Sequence, residues 1–436
     1  MKVDKKWIVL LIVAFNILAG IVTIPTWFQS NQKYSEALDK ARSFYSEDLC
    51  VKSIQAYNDV ITIKDTLPIR KEMIDTYRKG IDNGEYVSTY SIQKFLYSTI
   101  DAYRKDNQVY EYVGQFFFDK QLYEDCAAIL NQAKKLGVKS DQISALTDSI
   151  RYKYRRDYSM YSDVIQSESG YYTVHTDTYG FLKSNLSSTI GSHYKFASPF
   201  AGGYALVKTD EYTFLVNEAG IRQTYFDNNI VDSTGVGNEL LACKINDSYS
   251  YYNLKGELAF GNYLYAGRFR NNIAAVEDES GWKLIDPSQK YLSDTVFEDI
   301  KLNKLGDCAA HGIIFAKINN KYKMYDAKIA PIASFECDDA DLFFTDEWAA
   351  FKSGDKWGFV DKDGKVQIEP QYEEARSFSN GLAGVKVDGK WSFINNKNVV
   401  VINDQFDDVD YFNPAGICFV KRENYWSTIS LYYTEN

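Results

Sequence analysis

The chain of 436 residues predicts an α+β multidomain protein: an N-terminal transmembrane helix, an α-helical-hairpin domain, then an all-β repeat domain. Three observations carry this. An uncharged apolar stretch lies near the N-terminus, apolar residues then recur at a helical period, and a degenerate unit recurs every 33 to 40 residues from Tyr179 onward. A chain of copied units favours recognition over chemistry.

Trp7 to Trp27 covers 21 positions without a charge, which at about 1.5 Å per residue reaches about 30 Å, the thickness of a bilayer's hydrocarbon core. Tryptophans stand at both ends, where interfacial aromatics are favoured. Lys2, Lys5 and Lys6 precede the stretch and no basic residue follows until Lys33, so the positive-inside rule puts the N-terminus in the cytoplasm and the rest outside. Residues 1–30 are therefore read as a signal anchor in the cell membrane, single-pass, with extracytoplasmic C-terminal domains. A cleaved signal peptide is the rival reading, disfavoured by the length and by the lack of an Ala-x-Ala site.

Residues 31–165 change to a period of three and four. Tyr34, Ala37, Leu38, Ala41 and Phe44 make one helical face, and Ile54, Tyr57, Val60 and Ile61 another. Pro68 fits a helix start, Gly80 and Gly84 a turn, and Lys134-Lys135-Leu136-Gly137 a basic last turn closed by glycine. Helix, Asp-Lys turn, helix over Tyr123–Lys135 and a further helix from Ser140 look like tetratricopeptide-like hairpins; plain antiparallel helices meet the same pattern. The passage Arg151 to Asp163 is expected to continue the last helix, with the boundary at Gln166–Gly170 and a β domain over 170–436.

The repeat is read from an aromatic anchor at Tyr179, Trp282, Trp357, Trp391 and Trp426, with Thr213, Tyr249 and Tyr322 as equivalents. Asp or Asn follows four residues later at Asn217, Asn253, Asp286, Asp326, Asp361 and Asn395, as a turn residue after a strand would. The best-preserved unit has four segments. Leu382–Val387 alternates like a half-buried strand, Asp388-Gly389 suits a type I′ hairpin, and Trp391–Ile394 returns. Asp363-Gly364 repeats that grammar before Val366-Gln367-Ile368. The fourth segment, Tyr372 to Phe378, ends at Asn380-Gly381 and recurs as Tyr194–Phe200, Tyr265–Phe269 and Phe406–Phe412. Four strands per copy predict a β-propeller of seven to eight blades, with an open β-solenoid as the alternative. The array starts and stops partway through a unit, so the terminal strand is expected to complete the first blade.

Over residues 345–410, Trp357-Gly358-Phe359-Val360-Asp361, Gly364-Lys365, Ile368-Glu369-Pro370 and Tyr372-Glu373 fall in one order. In this the chain resembles the WG-repeat family of bacterial proteins; from 170 to 345 the Gly-Trp-Lys-Leu-Ile-Asp run at 281–286 and the spacing carry the likeness. The resemblance implies a repeat β domain with a role in binding or scaffolding.

A net charge of −10 without a basic patch excludes nucleic acid as a partner. The six cysteines, at 50, 126, 243, 308, 337 and 418, show no CxxC pair and read as buried thiols, which in an exported protein suggests a low-oxygen lifestyle. His175, His193 and His311 are scattered and hold neither a zinc site nor a triad. Asp361-Lys362-Asp363-Gly364 lacks the twelfth-position carboxylate of a calcium loop, since Tyr372 stands there. The pairs Asp338-Asp339, Glu373-Glu374 and Asp407-Asp408 suit glycoside hydrolysis in principle, but they recur with the repeat. Gly235-Val236-Gly237 lacks the rest of a dinucleotide fingerprint. Trp282, Trp357 and Trp391 read as core, and Trp348, off register, as the aromatic left for a ligand. No catalytic residue, cofactor or metal ligand is assigned, and the binding residues are open. The expectation is a membrane-anchored extracytoplasmic binding or scaffold protein, non-catalytic, with a protein or peptide partner first and cell-wall glycan second. A carboxylate-based envelope glycan hydrolase is the alternative, to be favoured by two carboxylates in a central pocket outside the repeat pattern. A third reading is a plain structural spacer.

Overall fold

The computed structural model describes residues 29–434 except 86, 168, 169 and 228. The expected anchor, Trp7 to Trp27, lies outside the described residues. Among the described residues no helix is long and apolar enough to cross a membrane. The chain divides into two compact units between Lys153 and Tyr154.

The first unit is helical: α1 over 29–46, α2 (Cys50–Ile63), α3 (Leu67–Asp82), α4 (Thr89–Ala102), α5 (Asn107–Asp119), α6 (Tyr123–Leu136) and α7 (Asp141–Ile150). The local signals act where the sequence puts them. Pro68 sits in the first turn of α3, Gly137 closes α6 with φ of 70°, and the Ser140 hydroxyl accepts from Ile143 N to start α7. Ile54, Tyr57 and Val60 of α2 are buried. Helix α3 packs on α2, α4 and α5, and α5 on α6 and α7, the stacking of successive helical hairpins.

The second unit is a closed β-propeller of eight blades. Blade 7 is typical: a two-residue inner strand Glu374–Ala375, then Leu382–Val387, Lys390–Asn395 and the outer strand Val400–Phe406, antiparallel in chain order. The anchor residue always begins or nearly begins the third strand, as Trp391 does in Lys390–Asn395. Blade 4 keeps three strands, and the bridges Trp282 to Phe297 and Ile285 to Tyr291 stand in for its outer edge. Its anchor is followed by the longest gap, from 282 to 322.

Three expectations change. Leu382 to Val385 are all buried instead of alternating, because each blade is covered on both faces by its neighbours. The passage after α7 is not helix but β1 (Tyr154–Tyr161), and this strand, not a C-terminal one, closes the ring. It pairs with Tyr425–Leu431 as the outer strand of blade 8, in the register Tyr154 to Leu431 and Arg156 to Ile429. Asp388 and Gly389 both have positive φ, as a type I′ turn needs, but in Asp363-Gly364 only the glycine does.

Apolar side chains fill the gaps between adjacent blades. Phe181 and Tyr194 of blade 1 meet Phe200 and Phe214 of blade 2, Phe315 of blade 5 meets Phe343 of blade 6, and across the closure Tyr172 and Val174 pack on Phe419 and Trp426. Every tyrosine or phenylalanine so placed removes apolar surface worth about 25 cal/mol per Å².

Candidate binding site in the central channel

The residues that repeat are occupied by structure. Oδ1 of Asn217, Asn253, Asp286, Asp326, Asp361 and Asn395 accepts, in each case, from the backbone N–H two and four residues on. The paired carboxylates divide the labour. Asp338, Glu373 and Asp407 reach across to the hairpin of their own blade and accept from Gly354 N, from Asp388 and Gly389 N, and from Glu423 N. Glu374 takes the Lys386 ammonium at 2.7 Å, and Asp339 and Asp408 take Lys301 and Arg376 from the preceding blade. Repetition of these acids is thus accounted for by hairpin and blade-to-blade contacts.

Just after each inner strand the chain turns into the centre of the ring, and there the copies differ. The residue after Ala340, Ala375 and Val409 is Asp341, Arg376 and Asp410 in turn. Two adjoining cavities occupy this centre. One, of about 310 Å³, is lined among others by Tyr171, Tyr172, Arg270, Thr345 and Asn413. The other, of about 200 Å³, is lined by Leu302 to Leu305, Asp341 to Phe344, Arg376, Asp410 and Tyr411. Gln166 and Phe344 line both.

The walls carry charge in both signs. Outside the two linings, Arg268 forms a buried fork with Asp307, Nε to Oδ1 at 2.7 Å and Nη2 to Oδ2 at 2.5 Å. Tyr411 donates its hydroxyl to Asp341 Oδ2 at 2.6 Å, and Ser377 N donates to the same oxygen at 2.9 Å. Burial, and then the Asp341 charge, push the Tyr411 phenol well above its ordinary range. Asp410, 4% exposed, accepts from Tyr411 N and faces Lys304 Nζ at 3.4 Å. Phe344 stacks on the Tyr411 ring at 4.2 Å and 10°.

The singled-out residues go elsewhere. The half-buried Trp348 ring meets Phe378 edge-on at 5.2 Å, between blades 6 and 7. Trp391 is buried and Trp282 and Trp357 pack against the cores of their blades. His175 meets Ser162 Oγ at 2.8 Å and His311 the Phe344 carbonyl at 2.6 Å, in separate blades. All six cysteines are buried and unbridged. Among the described residues no cluster of His, Cys, Asp or Glu is placed to hold a metal. Sequence reading missed Asp341, Arg376, Asp410 and Lys304. The signal available was the break in the repeat, where copies that agree on either side disagree at the channel.

No curated protein sequence matches the chain. Among solved structures it is similar to a eukaryotic initiation factor (11% identity, 59% of this chain and 77% of that one, TM-score 0.40). It is also similar to Kluyveromyces lactis Hsv2 (9%, 64% and 98%, 0.34) and to the Neurospora crassa Pan2 WD40 domain (9%, 62% and 89%, 0.35). The two copies anchored at Trp357 and Trp391 match the family described as WG containing repeat, over residues 357–391 and 391–426.

Proposed function

We propose that the chain is a membrane-anchored, extracytoplasmic binding or scaffold protein, non-catalytic, whose propeller channel takes a ligand while its helical hairpins contact a protein or peptide partner. The observation that carries the binding reading is the division of labour among the repeats. Repeated residues satisfy turns and blade contacts, whereas channel positions vary into a walled, mixed-charge pocket of about 200 to 310 Å³. Such a pocket, partly open and with a few polar groups in its lining, suits a small ligand. The anchor rests on the uncharged Trp7 to Trp27 stretch and its lysine flank. Protease treatment of intact cells carrying a C-terminally tagged chain tests the placement: cleavage without lysis supports it, and protection released only by lysis overturns it.

A second reading has one observation in its favour. Asp341 and Asp410 share the smaller cavity and lie outside the repeated acid pairs, as a glycan hydrolase would require. Each is engaged, however, by Tyr411, Ser377 or Lys304, an arrangement that suits fixed charges rather than a proton donor. Release of reducing ends from envelope glycan by the purified chain, abolished in Asp341→Asn, would replace the binding reading with the enzyme.

A further inference from the structure

The lining of the smaller cavity is mixed in chemistry. Leu302, Leu342 and Phe344 supply apolar surface, and Lys304, Arg376, Asp341, Asp410 and Gln166 polar groups. Several ion pairs elsewhere on the propeller are tight, such as Lys283 to Asp278 at 2.7 Å and Lys386 to Glu374 at 2.7 Å. The two cations of this cavity are not so held. Arg376 lies over the Trp391 ring at 4.9 Å and, among the described residues, makes one bond to a carboxylate, Nη2 to Asp408 at 3.3 Å, so no carboxylate fills its fork in bidentate fashion. Lys304 lies over Trp426 at 5.5 Å and 3.4 Å from Asp410.

Acceptors are left over as well. Asp341 commits Oδ2 to Ser377 and Tyr411, so Oδ1 remains. Gln166 Oε1 is buried with no hydrogen-bond partner among the described residues, a cost that a ligand's donor would remove. The cavity therefore offers two cationic donors and two acceptors, with no net charge across Lys304, Arg376, Asp341 and Asp410, together with apolar surface. A simple anion would meet Asp341 and Asp410, and a polyol would set hydroxyls against leucines.

We propose that this cavity binds a free α-amino acid with an apolar side chain. Its carboxylate sits on Arg376 and Lys304, its ammonium on Asp341 Oδ1 and Gln166 Oε1, and its side chain against Leu302, Leu342 and Phe344. The assignment rests on the reading of the channel as a binding site, and names its ligand class. The volume of about 200 Å³ admits one such molecule, and the half-exposed Lys304 side chain gives solvent access.

Leucine and phenylalanine titrated into the full chain test this, followed by calorimetry and by tryptophan fluorescence, since Trp391 and Trp426 underlie the two cations. N-acetyl-leucinamide, with the same side chain and no charges, and cellobiose are the comparators. Saturable binding of the amino acids is expected, at least tenfold tighter than of the uncharged amide, with Arg376→Gln and Asp341→Asn each weakening it tenfold or more. Gln166→Leu, which removes no charge, is expected to weaken it in a chain of unchanged circular dichroism, and so guards against misfolding of the charge variants. Absence of saturation at millimolar amino acid, equal affinity for the amide, or indifference to all three substitutions overturns the proposal. Saturable binding of cellobiose alone overturns the ligand class but leaves the channel a binding site, which separates the two failures.

Discussion

At the residue scale, the motif Trp-Gly-Phe-Val-Asp is a set of local constraints. A Cβ on Gly358 would lie 2.4 Å from the Ile368 carbonyl oxygen and 2.7 Å from Pro370 N, so the outer strand's backbone leaves no room for a side chain. Gly358→Val is expected to destabilise the propeller by about 2 kcal/mol or more, as forced overpacking against backbone does. The register tolerates Ser392 in the next copy, whose hydroxyl meets Asn403 Oδ1 at 3.1 Å, so Ser392→Ala should cost less than about 1 kcal/mol. Asp361→Ala removes the acceptor of two backbone N–H groups, Asp363 and Lys365, and is expected to cost about 1–2 kcal/mol. Urea unfolding of the three variants side by side checks the order. These roles were legible, because a turn acid and a small residue after an aromatic are local matters. The role of Asp341 or Arg376 was not, since a residue's neighbours across a ring are set by no local period.

At the scale of the element, helices and hairpins were read well where a cap or turn residue marks them, as at Pro68, Gly137, Ser140 and Asp388-Gly389. Strand β1 escaped because its exposure follows no alternation: Tyr158 and Met160 are 83% and 59% exposed, and only its partner strand gives it a structure. It protects the edge of Tyr425–Leu431, whose unpaired N–H and C=O groups would otherwise template association. Replacing both Arg155 and Arg156 by proline removes donors from the middle of that ladder. The expected outcome is a lower melting temperature together with concentration-dependent light scattering. A variant that stays monomeric with an unchanged melting point would mean that closure does not depend on this strand.

At the scale of the whole molecule, six buried thiols make a prediction about pH. Burial pushes Cys243, Cys308 and Cys337 up to about 12 from 9.0. Below about pH 9 thiols are protonated in both folded and unfolded chains, so the contribution of their burial is fully present; between about 9 and 12 the unfolded chain releases protons that the folded one retains. Stability is therefore expected to hold flat to about pH 9 and then to fall, by about 1.4 kcal/mol per pH unit for each such thiol, which denaturant midpoints across pH would show. Iodoacetamide at pH 8 should leave the native chain unlabelled and label all six cysteines once it is unfolded, because the thiolate is the nucleophile. The sequence by itself determined that helices precede a β array, that the array has eight anchors, and that its cysteines are apolar fillers, since period, turn chemistry and burial preference are local or repeat once per unit. Only the tertiary structure decided that β1 closes the ring and that Lys304, Asp341, Arg376, Asp410 and Gln166 share one cavity. Ring closure brings together residues from five blades that are up to 244 positions apart, Gln166 and Asp410 at the extremes, and no pattern along the chain encodes that meeting.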